Sequence, residues 1–226
     1  MATARQCYRW TLATGGALLL CLLALPAASA TEPVEPGPRP GLMNENPQDQ
    51  ARFREALEAH QEGVGGDEDA VRRAQNLLEE LQRAHPNDAR VRAFLGNTYV
   101  LRARDAVLFR KMKWLRQGVD LLDEAVAAAP DDPHVRSVRA VNSYQLPALF
   151  GRSEIAREDF GTLLAWTRDH PERFTPDLLR FVYYHAGQFY EGEDDYQSAQ
   201  LYELALSTDS DSVSDEQIRG ALSAVQ

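Results

Sequence analysis

Apolar positions over most of the chain follow the period of an α-helix. From about residue 48 onward, apolar side chains recur three or four positions apart, so each segment has one apolar face. One such stripe consists of Ala70, Ala74, Leu77, Leu78 and Leu81. Sustained alternation with a period of two does not occur, and neither do the Asn-Gly and Asp-Gly turns of β-hairpins. The pattern therefore predicts an all-α fold.

Prolines divide this helical region at nearly regular intervals. Pro86, Pro130 and Pro171 each follow an apolar stripe, and they lie 44 and 41 residues apart. Because proline lacks the amide that would continue a helix, each of them ends one, and the polar residues that follow can cap the next. Asn46 and Pro47 have the form of an N-cap followed by proline at the first helical position. Breaks at this spacing predict pairs of helices stacked in series.

The last predicted pair carries a specific motif of aromatic and small residues. Its residues are Tyr183, Ala186, Gly187, Tyr190, Tyr196 and Ala199. In these positions the chain resembles the tetratricopeptide-repeat (TPR) family. Leu95, Gly96 and Tyr99 fit the first helix of an earlier repeat. Gly118 and Leu122 fit its second helix, but about ten residues later than the family's unit of about 34 residues would place them.

The resemblance covers about residues 48–206 and implies a particular all-α architecture. It implies a right-handed α-solenoid of about four antiparallel helix pairs, whose apolar faces join in one continuous core. Such a stack needs a polar-faced element at its end. Residues 213–224 have an apolar stripe, and Ser214 with Gln217 has the form of a capping box. We therefore expect a C-terminal capping helix.

The first thirty residues predict a secretory signal peptide. Arg5 and Arg9 precede an apolar stretch that Pro26 ends, and the small side chains of Ala28 and Ala30 suit a signal peptidase. We expect cleavage after Ala30, which would remove both cysteines of the chain. The alternative is an uncleaved anchor, although the apolar stretch is shorter than the roughly 20 residues that span a bilayer.

Three segments make up the expected domain organisation. They are the signal peptide (1–30), a Pro-rich flexible linker (31–47) and a TPR-like helical-repeat domain (48–226). The protein would be exported, to the periplasm if the cell is bacterial. After signal cleavage we expect no transmembrane segment.

Charge and motifs narrow the possible chemistry. The chain has 24 Lys+Arg against 34 Asp+Glu, a net charge of −10, which argues against nucleic acid as a partner. Nucleophile-elbow, dinucleotide-binding and phosphate-loop motifs are absent from the sequence, and its five histidines lack the spacing of a zinc pair. We therefore expect no enzymatic activity, no cofactor and no metal site.

The resemblance also implies a groove that binds a protein or peptide partner. In the family, set positions of each first helix line the concave surface. Carried over in register, the candidate groove residues are Arg90, Asn97, His134, Ser137, Tyr144, Phe181, Tyr184 and Gln188. For Tyr144 and Phe181, burial in the core is an equally good interpretation.

A cluster of cations lies in the surplus segment of the second repeat. The candidate basic patch consists of Arg102, Arg104, Arg110, Lys111, Lys113 and Arg116, and it includes the only two lysines of the chain. In a chain this acidic, the patch could bind an anionic partner or lipid headgroups. The alternative is a solvated helix face that Asp105 and Asp120 balance.

These observations lead to two functional hypotheses. The first is an exported, non-enzymatic protein–protein interaction module, a scaffold or an assembly or accessory factor of an envelope complex. The second is a ligand-binding accessory subunit of a transporter, with a small or lipidic ligand held between helices. A filled core beside an open groove would favour the first, and an enclosed apolar cavity would favour the second.

Overall fold

A computed structural model describes residues 46–226. The predicted signal peptide and residues 31–45 of the predicted linker lie outside the described residues. Within residues 46–226 the structure has nine α-helices and no strand. The helices are α1 (Pro47–Val64), α2 (Glu68–Ala84), α3 (Ala89–Asp105), α4 (Leu108–Ala128), α5 (Pro133–Gln145), α6 (Ser153–Asp169), α7 (Pro176–Tyr190), α8 (Asp195–Ser207) and α9 (Asp215–Val225). Short 3-10 turns occupy Ala148–Phe150 and Pro171–Arg173.

Side-chain caps start most of these helices where the sequence predicts them. Asn46 accepts a hydrogen bond from the Gln48 amide, and Pro47 occupies the first turn of α1. Asp88 and Asp132 cap α3 and α5 after the prolines that end the preceding helices. Each cap satisfies an amide that has no partner within its helix, so the prolines and the caps together set the helix boundaries.

The helices pack in sequential antiparallel pairs, which confirms the predicted arrangement. The pairs are α1 with α2, α3 with α4, α5 with α6 and α7 with α8, and α9 packs on α8. Buried residues from α1 through α8 form one continuous core. All turns within a pair therefore lie along one edge of the stack, and the turns between pairs lie along the opposite edge.

Glycines let the two helices of a pair approach closely. A Cβ atom added at Gly96 in α3 would lie 2.7 Å from the carbonyl oxygen of Gly118 in α4, and one added at Gly118 would lie 2.6 Å from that of Gly96. In the last pair, a Cβ at Gly187 would lie 2.6 Å from the ring of Tyr202. Both pairs therefore depend on a missing side chain at the point where the helices cross.

The α5–α6 pair, which has no glycine at its helix crossing, contains a buried ion cluster. Asp159 of α6 is fully buried and accepts hydrogen bonds from Arg136 at 2.7 Å and from Arg139 at 2.8 Å. Arg152, just before α6, binds Asp123 of α4 with both terminal nitrogens at 2.7 Å. The carboxylates satisfy cations that burial would otherwise leave unpaired, and they connect α4, α5 and α6.

The C-terminal helix docks on the end of the stack, as the capping prediction requires. Ser214 and Gln217 form the expected capping box of α9. Ile218 is fully buried in a small cluster with Tyr184, Tyr202 and Val213. Arg180 of α7 is itself buried and donates to the carbonyl oxygen of Val213 at 2.7 Å. These contacts hold the last helix against α7 and α8.

None of the helices within residues 46–226 is long and apolar enough to span a membrane.

Candidate binding surfaces

Buried polar side chains connect the first helices of the first three pairs. His60 of α1, Asn97 of α3 and Asn142 of α5 are all buried. The Asn97 amide nitrogen donates to His60 Nε2 at 2.9 Å, and the Asn142 amide nitrogen donates to Asn97 Oδ1 at 3.1 Å. The Thr98 hydroxyl donates to the Phe94 carbonyl, so it can only accept from His60 Nδ1–H at 2.9 Å. His60 is therefore neutral, with its proton on Nδ1.

A second polar network connects α5 to α7. The Tyr144 hydroxyl donates to Gln188 Oε1 at 2.8 Å and contacts His185 Nδ1 at 3.0 Å. Gln188 in turn donates to the Tyr184 hydroxyl at 3.1 Å. Because the single hydroxyl proton of Tyr144 is donated to Gln188, the Tyr144 oxygen accepts a hydrogen bond from His185 Nδ1–H. The other nitrogen of His185, Nε2, is buried and has no hydrogen-bond partner among the described residues.

These networks include half of the predicted groove residues, namely Asn97, Tyr144, Tyr184 and Gln188. The eight residues all lie on α3, α5 and α7. Those that are buried are Asn97, His134, Ser137, Phe181 and Tyr184. Those that are partly exposed are Arg90, Tyr144 and Gln188. The structure thus brings the residues onto consecutive first helices but leaves only three of them open to solvent, and their contact with a partner stays a prediction.

One of the predicted residues, Arg90, links α3 to the start of α5 at the opposite end of these helices. Arg90 Nε donates to Asp132 Oδ2 at 2.7 Å, and Asp132 is also the N-cap that accepts from the His134 amide at 2.9 Å. Burial, together with the charge of Arg90, lowers the pKa of His134 from 6.5 to about 4. Ser137 donates to the His134 carbonyl at 2.8 Å. These contacts position the start of α5 against α3.

Burial keeps the histidines of both polar networks neutral. It lowers the pKa of His60 from 6.5 to about 4, with a smaller contribution from the charge of Arg104. It lowers the pKa of His185 from 6.5 to about 3. Burial also raises the pKa of Tyr144. All three groups therefore stay uncharged at neutral pH, which suits hydrogen bonding between helices better than proton transfer.

The predicted basic patch divides into an inward part and an outward part. Arg104 donates to the carbonyl oxygen of Gly63 at 3.0 Å and to Asp105 at 2.7 Å, so it connects the end of α3 to the end of α1. The Arg102 guanidinium lies over the Trp114 ring, 5.5 Å from its centroid. Arg102 therefore packs against α4 and Arg104 against the end of α1, and both cations are only partly exposed.

The outward part lies on the first three turns of α4. Arg110, Lys113 and Arg116 are exposed, and Lys111 is partly exposed. Within residues 46–226, no acidic side chain forms an ion pair with Arg110, Lys113 or Arg116. The surplus residues of the second repeat therefore lengthen α4 at its start and expose cations there.

Large apolar side chains lie exposed among these cations. Phe109 is 93% exposed, Val107 is 75% exposed and Met112 is 39% exposed. Large apolar residues on a helix are normally expected in the core. Sequence reasoning therefore did not predict that these three side chains are exposed. The signal that could have found them is the surplus itself, because residues outside the repeat register have no neighbouring pair to cover them.

Possible metal and ligand sites are the next feature of the described residues. Within residues 46–226 no three His, Cys, Asp or Glu side chains lie close enough together to hold a metal ion. An open polar depression of about 460 Å³ lies between α7 and the segment before α9, beside Arg180, Thr208 and Asp215. The Phe181 and His185 rings pack with centroids 4.3 Å apart, so this part of α7 belongs to the packed core.

Comparisons with known proteins identify the fold. Models of known protein families give no match to the chain, and no curated protein matches it. Among solved structures, the chain is similar to a thermophilic TPR protein from Thermus thermophilus, with a TM-score of 0.59 and 20% sequence identity. The match covers 81% of this chain and 84% of that chain. At this identity the similarity shows the fold, and it confirms that the described part of the chain is TPR-like.

Proposed function

We propose that the protein is an exported, non-enzymatic interaction module that binds a segment of another protein on the face formed by α1, α3, α5 and α7. The observation that carries the proposal is the TPR-like stack, which places four first helices side by side. A row of parallel helices of this kind offers a continuous surface that no single helix pair provides. We further propose that it serves as a scaffold or assembly factor in the cell envelope.

Arg90, Tyr144 and Gln188 are the groove residues best placed to contact the partner. They are partly exposed, and each also has a hydrogen bond that fixes its side chain before a partner arrives. A preorganised side chain loses little conformational entropy on binding, which favours affinity. The buried residues of the predicted groove, such as Asn97 and Phe181, would act by holding the helices in register.

Export rests on the N-terminal sequence. The positive start, the apolar stretch and the small residues at Ala28 and Ala30 support cleavage after Ala30. N-terminal sequencing of the chain recovered from the exported fraction tests this, and we expect Thr31 as the first residue. A chain that keeps residues 1–30 and stays in the cytoplasm would contradict it.

Packing in α7 favours the interaction module over the transporter subunit. Phe181 is buried and packs against the His185 ring, and Phe189 packs on Phe160 with ring centroids 5.3 Å apart. An apolar ligand held between these helices would have to displace these contacts. The packed aromatic cluster therefore supports protein recognition on the helix surface.

Site-specific photocrosslinking in the native host tests the proposed groove. A photoreactive amino acid at Gln188 should give an adduct with a partner protein in the exporting compartment. The matched control is the same amino acid at Gln200, which is exposed on the second helix of the same pair. Equal adducts at both positions, or adducts only at Gln200, would contradict binding on the first-helix face.

A further inference from the structure

Helix α3 extends further toward its turn than the neighbouring first helices α1 and α5. The hydrogen bonds that join Asn97 to His60 and to Asn142 mark one level on α1, α3 and α5. Beyond that level, α3 continues for eight residues, whereas α1 continues for four and α5 for three. At about 1.5 Å per residue, α3 ends roughly 6 to 8 Å further out.

This projecting tip, residues 105–116, combines apolar and cationic side chains. Phe109, Lys113 and Arg116 follow one another at i, i+4 and i+7, so they share the exposed face of α4, with Met112 beside them. Val107 and Phe109 stand almost free of the rest of the protein. A convex point with apolar side chains at its end and cations behind them has the chemistry of a membrane-surface contact.

The start of α4 is also electrostatically unlike the starts of the other helices. Its N-cap residue, Val107, makes no side-chain hydrogen bond to the first-turn amides, and no acidic residue lies in the first turn. Arg110 and Lys111 instead add positive charge to the positive end of the helix dipole, which is unfavourable in the isolated protein. A phosphate group near the tip would relieve this repulsion.

Charge is segregated between this region and the rest of the chain. Residues 102–116 contain six cations and one acid, a net charge of +5, so the remainder of the chain has a net charge of −15. An anionic surface would attract the tip and repel the remainder, which restricts the protein to one orientation.

We propose that the α3–α4 tip docks on an anionic lipid bilayer, with Val107, Phe109 and Met112 at the acyl boundary and the cations among the headgroup phosphates. This contact is separate from the groove in the proposed function, since it lies on the turn edge rather than on the first-helix face. Its convex shape favours a bilayer, because a protein partner would need a matching concave pocket. The acidic surface of a second copy of this chain is the other occupant that the test must separate.

Vesicle flotation of the full chain measures the proposed contact. Vesicles of phosphatidylcholine with about one third phosphatidylglycerol present the anionic surface, and vesicles of pure phosphatidylcholine report binding by the N-terminal apolar segment that all variants share. We expect stronger binding to the anionic vesicles, weakened by added salt. Lys113→Glu with Arg116→Glu should lower the anionic binding constant by at least roughly 25-fold, at about fivefold per cation. Phe109→Ala should lower it roughly tenfold.

Matched variants separate this contact from general effects of charge and apolar surface. Arg83→Glu with Arg168→Glu reverses two exposed cations on the opposite edge, at the ends of α2 and α6. Tyr196→Ala removes an aromatic ring that is 76% exposed but follows Glu193, Asp194 and Asp195. Both controls should leave the binding constant within about twofold of wild type, since neither removes charge or apolar surface from the tip.

A local label provides a readout that the N-terminal segment does not affect. With Cys7→Ser and Cys21→Ser, a polarity-sensitive dye on Phe109→Cys should shift to an apolar emission with anionic vesicles, and the same dye on Tyr196→Cys should not. Equal binding to both vesicle types, or unchanged binding of the Lys113/Arg116 variant, would overturn the proposal. It would also be overturned if the chain bound no vesicles but self-associated in sedimentation velocity and lost that association on the same charge reversal.

Discussion

The α3–α4 and α7–α8 pairs solve the same packing problem but differ in what lies beyond the crossing point. In both pairs a glycine lets the helices touch, Gly96 against Gly118 in one and Gly187 against Tyr202 in the other. Helix α8 has 13 residues and starts at a side-chain cap, Asp194. Helix α4 has 21 residues and starts at Val107 without such a cap.

The difference shows where a repeat can accept additional residues. The close crossing at Gly96 and Gly118 fixes the part of α4 around Gly118 against α3, because neither backbone can shift without a clash. The surplus can therefore extend only toward the turn, where it lies outside the stack. An insertion in this position changes the surface of the solenoid while it leaves the packed core unchanged.

Acid should protonate three buried histidines, two of them in the polar networks, and give the largest effect. His60, His134 and His185 have folded pKa values of about 4, 4 and 3, below the value of 6.5 for an exposed histidine. Their contribution to stability is full above pH 6.5 and is lost as the pH falls through 6.5 toward 4, because the unfolded chain binds the protons first. At about 1.4 kcal/mol per pH unit and per histidine, the free energy of unfolding should fall by roughly 8 kcal/mol between pH 7 and 4.5.

Urea unfolding over this pH range checks the acid prediction and separates the two networks. His60→Gln and His185→Gln should each reduce the slope of the free energy of unfolding against pH by about one proton, since each replaces one buried titrating group. His170→Gln, at a residue whose side chain is 56% exposed, serves as the control. Unchanged slopes in both buried variants would mean that these histidines do not govern acid stability.

Substitution of the crossing glycines should destabilise both pairs, and α3–α4 more. Gly118→Ala places a methyl group against a backbone carbonyl and should lower the free energy of unfolding by about 3 kcal/mol. Gly187→Ala meets the buried ring of Tyr202, which can tilt, and should lower it by about 2 kcal/mol. Gly161→Ala, with no atom within 4 Å, should raise it by up to about 1 kcal/mol. Chemical denaturation measures all three, and equal stability of Gly118→Ala and Gly161→Ala would contradict the close crossing.

Removal of a side chain from a polar network should destabilise the protein less than the crossing-glycine substitutions do. The loss should be larger in the network that includes Asn97 of α3 than in the network that includes Tyr144. Asn97→Ala leaves His60 Nε2 and Asn142 Nδ2 without this partner and should destabilise by about 2 to 3 kcal/mol. Tyr144→Phe removes one hydroxyl and should destabilise by about 1 kcal/mol. Asn76→Ala and Tyr196→Phe are the same changes at exposed positions and should lie within about 0.5 kcal/mol of wild type. A thermal-shift series that ranks Asn76→Ala with Asn97→Ala would exclude a role for the network.

The caps give the smallest contrast between the pairs. Asp194→Ala removes the acceptor for the Gln197 amide and should destabilise by about 1 kcal/mol. Val107→Ser adds the side-chain cap that α4 lacks and should stabilise the protein by about 0.5 to 1 kcal/mol. Because Val107 is 75% exposed, the change removes no contact in the core. Chemical denaturation of both variants checks the two signs. If Val107→Ser is destabilising, the first turn of α4 has another partner for its amides.

The sequence predicted the helices, their caps and their pairing, because these depend on neighbours in the chain. Asn46, Asp88 and Asp132 cap the helices that the prolines separate, and Ser214 with Gln217 forms the expected box. The resemblance in the last pair extended this to a TPR-like fold, which the structural comparison confirms. The candidate groove was predicted only as a set of positions on the first helices.

The exposure of those positions could not be predicted, since it depends on which side chains meet across helices. Asn97 and Asn142 lie 45 residues apart in the chain, and His60 had no predicted partner. The division of the basic patch is of the same kind. Arg102 and Arg104 differ from Lys113 and Arg116 in what lies opposite them in the fold, which is a ring of α4 for Arg102 and the end of α1 for Arg104.

The sequence by itself determined the boundaries of the helices that prolines and side-chain caps delimit, the apolar face of each helix and the pairing of the helices in series, because proline, capping and periodicity act over a few residues. The tertiary structure alone decided which polar residues join neighbouring pairs and where the surplus of the second repeat goes. The physical reason is that the crossing glycines and the side chains of adjacent pairs define one shared register, and residues that do not fit it are placed at the exposed turn.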